Sequence, residues 1–221
     1  MNLKTVDMFK GIDPKGLKEI ESLFQSEDFA KREAIFSEGD PSDWLYIVEK
    51  GKVKITKLSQ EGKEIILEII PSSGMFGGIA VVKGFPYPAN AVVMEDATLL
   101  KISRQNLMKV LDRFPEVMFS LIQNLGDRLK DSHETKKNIA LEKVSSRIAA
   151  LLSKLAEQTG TKTTTGGVSL ELKLTKQDIA EMVGTTVETS IRTMSKFKKL
   201  GLIEEKAGKI IIKDLEGLKS V

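Results

Sequence analysis

LTKQDIAEMVGTTVETSIRTMSKFKKLGLI, residues 174–203, decides how this chain is read, because it spells two short helices at a tight corner. Thr175 stands where an N-cap belongs, and Asp178 three residues on has the spacing of a capping box, in which side chain and backbone satisfy each other's orphan donors. Ile179, Ala180 and Val183 give the first helix a small apolar face. Gly184 ends it, since glycine adopts the left-handed backbone of a helix stop at least cost. Thr185 or Thr186 then caps a second helix, and Thr185 with Glu188 has the spacing of another capping box. Ser190, Met194 and Phe197 share the face turned toward the first helix, which leaves Val187, Glu188, Ile191 and Arg192 outward. Two capped helices at so short a corner make a helix-turn-helix pattern, whose second helix suits the major groove of DNA.

The outward residues carry the chemistry. A carboxylate accepts from the N4 amine of cytosine, and a guanidinium grips O6 and N7 of guanine with two bonds. Glu188 and Arg192 are four apart, so they share one helix face near its N-terminus. The same spacing also suits an ordinary intrahelical ion pair. The corner, the caps and the Lys196, Lys198, Lys199 cluster turn the balance toward DNA reading.

With those residues in view, the stretch closely resembles the helix-turn-helix of the CRP/FNR family of bacterial transcription regulators. The shared signature is Leu-Thr-x-x-(Asp/Glu)-Ile-Ala-x-x-Val-Gly-x-x-x-Glu-Thr-x-x-Arg, which places Glu188, Thr189 and Arg192 at its end. The resemblance implies that Glu188 and Arg192 contact bases, and that Lys176 and Thr186 hold phosphates. Such phosphate contacts position a protein without specifying sequence. The residue before the Glu varies with the half-site in this family, Arg in cyclic-AMP receptors and often Val in FNR-type members. Val187 therefore implies an FNR-like half-site of the TTGA type.

Composition bounds the rest. A chain of 221 residues with 41% hydrophobic and 29% charged content fits two compact globular domains. No apolar run approaches the ~20 residues that cross a bilayer, and MNLKTVDMFKGIDPKG lacks the layout of a signal peptide. The expectation is a cytoplasmic protein with no membrane partner. Without cysteine, disulfides, thiolate zinc sites and cysteine-ligated iron–sulfur clusters are excluded. A net charge of +3 makes no generic polyanion binder of the whole chain. Residues 173–213, however, hold nine Lys or Arg against five Asp or Glu, the local excess of a DNA-facing module.

Residues 1–30 read as short amphipathic helices, one through Leu3, Val6 and Phe9 and another through Leu17, Ile20, Leu23 and Phe24, started by Asp13-Pro14. From about residue 30 to 105 the apolar period becomes two, with turns at Gly39-Asp40, Lys50-Gly51, Glu61-Gly62 and Ser73-Gly74. Leu45, Ile47, Val53 and Ile55, then Ile65, Leu67 and Ile69, are the expected inward residues. Strands so short and regular suggest a jelly roll. EGDPSDWLYIVEKGKVKI resembles the opening of the family's cyclic-nucleotide-binding-type domain, and GMFGGIAVVKGFPYPANAVV falls where that fold has its phosphate-binding cassette.

The cassette departs from the nucleotide binders. A cyclic phosphate needs a cation, usually Arg, and a Glu takes the ribose hydroxyl. The Glu position holds Ile79, the Arg position falls near Ala89 or Asn90, and no Arg occurs between Arg32 and Arg104. Gly77 and Gly78 either present backbone N–H groups to a ligand or are simple tight turns. Cyclic AMP and cyclic GMP are therefore not the expected ligands, and the effector is unassigned. A cupin enzyme is the rival reading of a jelly roll, but its metal needs several His, and this chain has one. Nothing in the residues argues for an enzyme.

After Pro115 a long helix carries two stripes: Val117, Leu121, Asn124 and Arg128, and beside them Met118, Ile122, Leu125 and Leu129. One stripe suits the jelly roll and the other either a second copy of the helix or the interior of one subunit; the resemblance implies that this helix is the dimer interface. Ser132-His133 fall where cyclic-AMP receptors carry a Thr-Ser pair near the base. His133 thus either touches an effector, ligates haem as in some relatives, or is simply solvated. Beyond it, EKVSSRIAALLSKLAEQ is amphipathic through Val144, Ile148, Leu151, Leu152 and Leu155, TGTKTTTGG is a polar loop, and VSLELKL alternates as a strand. GLIEEKAGKIIIKD reads as a hairpin turning at Ala207-Gly208, a wing whose Lys206 and Lys209 either meet phosphates or are solvated.

The expectation is thus an α+β chain: an effector-sensing jelly roll over residues 1–112, a dimerisation helix over 113–139 and a winged helix-turn-helix over 140–221. Its expected partners are a palindromic double-stranded DNA operator, a second copy in a homodimer, and RNA polymerase. The alternative is a signal-binding module acting through protein contacts, its helix-turn-helix degenerate.

Overall fold

The computed structural model describes residues 3–163, 166–170, 172–206 and 208–221, the side chains of residues 158 and 159 excepted. The chain forms two compact units, one ending at Lys130 and the other beginning at Asp131.

The first unit opens with two single 3₁₀ turns, Leu3–Thr5 and Asp7–Phe9, in place of the expected amphipathic helix. Leu3, Val6 and Phe9 are still buried, so the apolar spacing was right and the helix too short to propagate. Helix α1 (Pro14–Glu21) starts on the Asp13 side chain, which accepts from the Lys15 and Gly16 N–H groups. Those two bonds hold the Asp13 carboxyl below the usual carboxylate range.

A six-stranded antiparallel sheet follows: β1 (Gln25–Phe29), β2 (Ala34–Phe36), β3 (Trp44–Leu58), β4 (Glu64–Ile70), β5 (Met75–Phe76) and β6 (Asn90–Ser103). The long strands β3 and β6 run side by side, and each serves several partners. β6 takes β1 on residues 97–101 and β2 near Ala91 and Val92, while β3 takes β5 at Tyr46 and Ile47 and β4 from Val53 onward. Register shifts between Val48 and Val53 bend the β3–β6 pair, as bulges do, and roll the sheet around its own core. This is the expected jelly-roll domain.

Two details depart from the expectation. β1 is a strand, where the reading of residues 1–30 has only helices; QSEDF is exposed at its first four positions and shows no alternation. In β4 the inward phase is the opposite one. Ile66 and Ile70 are buried, whereas Ile65 and Leu67 are exposed. The odd phase would turn Glu64 and Glu68 away from the interior. In the fold both carboxylates are compensated, Glu64 by Lys54 and Glu68 by Arg128.

Helix α2 (Gly78–Lys83) joins β5 toward β6, and α3 (Arg104–Arg113) follows β6 with Ser103 as its N-cap. The long α4 (Pro115–Leu141) buries Val117 on the first unit and half-buries Leu121, Asn124 and Arg128. The neighbouring stripe stays open: Met118, Ile122, Leu125 and Leu129 are each between 45% and 59% exposed, and Phe119 is 68% exposed.

The second unit packs α5 (Val144–Thr159) through Ile148, Leu152 and Leu155. A four-stranded sheet of order β7-β8-β10-β9 joins it: β7 (Gly160–Lys162), β8 (Val168–Leu170), β9 (Ile203–Lys206) and β10 (Lys209–Ile212). Part of the tract expected to be only loop is therefore strand, because Gly160, Thr161 and Lys162 pair with Leu170, Ser169 and Val168. The strand read in VSLELKL is shorter than expected; Leu172 and Leu174 are buried beyond it, and Glu171 lies outside the described residues. Helices α6 (Lys176–Val183), α7 (Val187–Lys199) and α8 (Leu215–Lys219) complete the unit. Among the described residues no helix is long and apolar enough to cross a membrane.

Candidate nucleic-acid interface

The corner between α6 and α7 is built by its caps. Thr175 Oγ1 accepts from the Asp178 N–H at 3.0 Å, and Asp178 Oδ2 accepts from the Thr175 N–H at 2.8 Å, so the capping box closes in both directions. Gly184 ends α6 at φ 66°, ψ 53° and returns its N–H to the Ala180 carbonyl. No neighbouring atom crowds it, so glycine is needed there for its backbone alone. Ser190, Met194 and Phe197, all fully buried on α7, meet the apolar side of α6 at Ile179, Ala180 and Val183.

The cap of α7 is Thr186, whose Oγ1 accepts from the Thr189 N–H at 3.2 Å and lies 3.0 Å from the Thr189 hydroxyl. The Thr185–Glu188 box does not form, because the helix begins one residue later than that box requires. Glu188 instead turns back on the helix start. Its own backbone N–H first, and the Thr186 hydroxyl second, hold its carboxyl below the usual range. It is therefore ionised at neutral pH and acceptor-only, as contact with a cytosine amine requires.

Glu188, Ile191 and Arg192 are exposed, and Val187 and Thr189 half-exposed. Among the described residues no ion pair joins Glu188 to Arg192. The intrahelical ion pair that their spacing allows does not form, and both side chains are exposed, Glu188 turned back on the helix start. Lys196, Lys198 and Lys199 form the last turn of α7, where cations also complement the helix dipole. Lys176, the first residue of α6, is not free: its Nζ donates to Glu205 Oε1 of β9 at 2.6 Å. The hairpin of β9 and β10 pairs Lys206 with Lys209; the turn expected at Ala207-Gly208 falls partly on Ala207, outside the described residues.

The expected effector residues divide between the units. Gly77 caps α2 at φ 80°, and a Cβ there would meet the Trp44 carbonyl at 3.1 Å and the Tyr87 ring at 3.2 Å. At Gly78 a Cβ would meet the Leu45 side chain at 2.9 Å. Close packing and a tight turn thus account for both glycines. Ala89 is buried, and Ile79 is 45% exposed. Asn90 is committed locally, its Oδ1 accepting from the Glu38 N–H at 2.8 Å and its Nδ2 donating to the Thr56 carbonyl. Neither a cation nor a carboxylate stands at the places a cyclic nucleotide would need, so these residues do not fit that ligand. In the second unit, Ser132 and His133 are exposed on α4.

Aromatic rings fill the roll beside the cassette. Phe36 and Tyr87 stack at 3.6 Å and Tyr46 and Phe76 at 5.2 Å, and the Tyr87 hydroxyl donates to the Trp44 carbonyl at 2.5 Å. Burial pushes the Tyr87 phenol up to about 12 and the Tyr46 phenol further still.

Sequence reasoning missed two functional-looking side chains. Arg128 donates to the Met75 carbonyl and lies 3.4 Å from Glu68, bringing a guanidinium from α4 to the cassette strand. Its signal was an arginine within a stripe otherwise facing the roll. Glu205 carried no local signal, since its partner is 29 residues away.

Comparison with known proteins agrees with this geometry. Residues 26–114 match the family described as cyclic nucleotide-binding domain, and residues 146–221 match the Crp-like helix-turn-helix domain. The chain is 29% identical over 216 residues to the CRP-like cAMP-activated global transcriptional regulator of Mycobacterium tuberculosis, covering 98% of this chain and 96% of that one. Among solved structures, FixK2 from Bradyrhizobium japonicum superposes with a TM-score of 0.80 at 20% identity, over 89% of this chain and 96% of that one, a likeness of fold. A CooA mutant from Carboxydothermus hydrogenoformans gives 0.79 at 26% identity, over 100% of this chain and 95% of that one. With a rolled sheet, a long helix and a doubly capped helix-turn-helix in the order these relatives share, the chain belongs to the CRP/FNR family of DNA-binding transcription regulators.

Proposed function

We propose that this regulator binds a near-palindromic operator of two TTGA-type half-sites as a homodimer, and that a signal other than cyclic AMP or cyclic GMP sets its affinity. The observation that carries the reading is the exposed, mutually unpaired Glu188 and Arg192, one turn apart at the start of α7. Arg192 grips guanine and Glu188 accepts from cytosine, while Val187 and Thr189 border those bases. Lys176 and Thr186, at the starts of the two helices, hold the flanking phosphates.

The open stripe of Met118, Ile122, Leu125 and Leu129 is the dimer seam, which two copies of α4 bury against each other. A two-fold pair then sets its recognition helices about one helical turn (~34 Å) apart, and the operator mirrors that symmetry. Residues 1–112 sense, 113–139 dimerise and 140–221 bind DNA. The signal acts on the first unit, at the cassette residues Gly77, Gly78, Ile79, Ala89 and Asn90. It shifts affinity by favouring one orientation of the DNA-binding units, by about 1–3 kcal/mol. The bound protein works in the cytoplasm and engages RNA polymerase.

The test is titration of a fluorescent duplex carrying two inverted TTGA half-sites one turn apart, beside a scrambled duplex, across a salt series. Operator binding at least ~10³-fold tighter than scrambled supports the reading. Equal affinity for both duplexes, in the presence and absence of candidate signals, overturns it.

A further inference from the structure

Glu205 joins three elements of the proposed DNA-binding surface. From β9 its Oε1 accepts from Lys176 Nζ of α6 at 2.6 Å, and its Oε2 lies 3.9 Å from Lys198 Nζ of α7. Its neighbour Glu204 faces the other side of the strand, as alternation requires, 3.7 Å from Lys213 Nζ. The two carboxylates are adjacent in sequence, yet only Glu205 is turned into the corner.

The arrangement is shallow. Side-chain exposure is 27% for Lys176, 30% for Glu205 and 47% for Lys198, so water and other anions reach all three. A phosphate oxygen approaching Lys176 therefore meets an ammonium whose nearest acceptor is already a carboxylate. It must either draw the flexible lysine head away or share it against the repulsion of a second negative charge. Binding to DNA gains much of its salt dependence from released counter-ions, about 0.9 in the log–log slope per phosphate neutralised. While Glu205 neutralises these lysines they neutralise no phosphate, so the DNA keeps the cations that the contact would have released, and that share of affinity is forfeited.

We infer that Glu205 is a built-in competitor for the DNA backbone: it occupies Lys176 and Lys198 in the free protein and trims affinity for all DNA alike, leaving discrimination to Glu188 and Arg192. The inference rests on the assignment of Lys176 to a phosphate. Because the competition is with backbone and not with bases, it lowers non-specific occupancy without changing the ratio between operator and scrambled sites.

The experiment compares the full-length protein with Glu205→Gln and Glu204→Gln on operator and scrambled duplexes over a salt series. Glu205→Gln also enters a Lys176→Ala background, and thermal melts accompany every variant. Glu205→Gln should tighten both duplexes by about two- to fivefold at low salt and steepen the salt slope by about one. Glu204→Gln, with the same change in net charge, should do neither. In the Lys176→Ala background most of the gain should vanish. Unchanged affinity and slope in Glu205→Gln overturns the inference. So does weaker binding with a lowered melting temperature, which makes Glu205 a structural pin, or an equal gain in Glu204→Gln or in the Lys176→Ala background. Failure of the wild type to prefer the operator sinks the functional assignment instead, and the slopes on scrambled DNA still judge Glu205.

Discussion

Arg128 of α4 donates a guanidinium N–H to the backbone carbonyl of Met75 in β5, 53 residues earlier in the chain. The same group lies 3.4 Å from Glu68 of β4, so one side chain ties the long helix to two strands of the roll. The carbonyl bond is the stronger element, because the ion pair is a third exposed and screened by water. Replacing Arg128 by Met keeps the aliphatic stem and removes the donors. It should cost about 1 kcal/mol, seen as a lower denaturation midpoint at fixed protein concentration and faster amide exchange in β4 and β5. An unchanged midpoint would show that the contact contributes nothing.

Arg192 and Lys176 should fail differently. Arg192→Ala should lose about 1–3 kcal/mol on the operator and relax preference at one base pair per half-site, while Lys176→Ala weakens operator and scrambled duplexes alike. A panel of single-base operator variants reads the distinction. Normal operator binding by Arg192→Ala would refute the base-reading assignment.

The seam on α4 predicts an assembly defect. Ile122, 59% exposed in one chain, becomes buried between two helices if the homodimer forms as proposed. Ile122→Glu would then set two carboxylates against each other in an apolar stripe. Sedimentation should show a monomer, and operator affinity should fall steeply while the circular dichroism of the separate units is kept. A dimer that survives this change has its seam elsewhere.

Alkaline pH tests the interior of the roll. The chain has two tyrosines, Tyr46 and Tyr87, and burial raises both phenols above their ordinary value near 10. A phenol raised by folding contributes stability that is whole below the unfolded value and declines as pH climbs toward the folded one. Tyrosinate absorbance should therefore stay silent past pH ~10 and rise toward about 12 together with loss of the fold. A rise near the ordinary value with the fold intact would mean that the rings are reached by water.

Reading the residues alone reached the helix-turn-helix almost atom for atom at Thr175, Asp178 and Gly184, since a capping box and a helix stop close within four residues. It reached the two stripes of α4 for the same reason: helical periodicity is a local property of the chain. It left the cap of α7 open between Thr185 and Thr186, because two adjacent threonines offer equally good caps, and the fold takes Thr186.

What only the tertiary structure decided lies in contacts between distant segments. EIILEII is apolar in both phases, so the inward face of β4 depends on Lys54 and Arg128 being present to compensate its carboxylates. β1 has no pattern of its own and is a strand because β6 offers an edge. Glu205 became a partner of Lys176 only when the wing folded against α6, 29 residues away. Capping and periodicity are written within a few residues, whereas sheet phase and ion pairing are set by whatever the fold brings alongside.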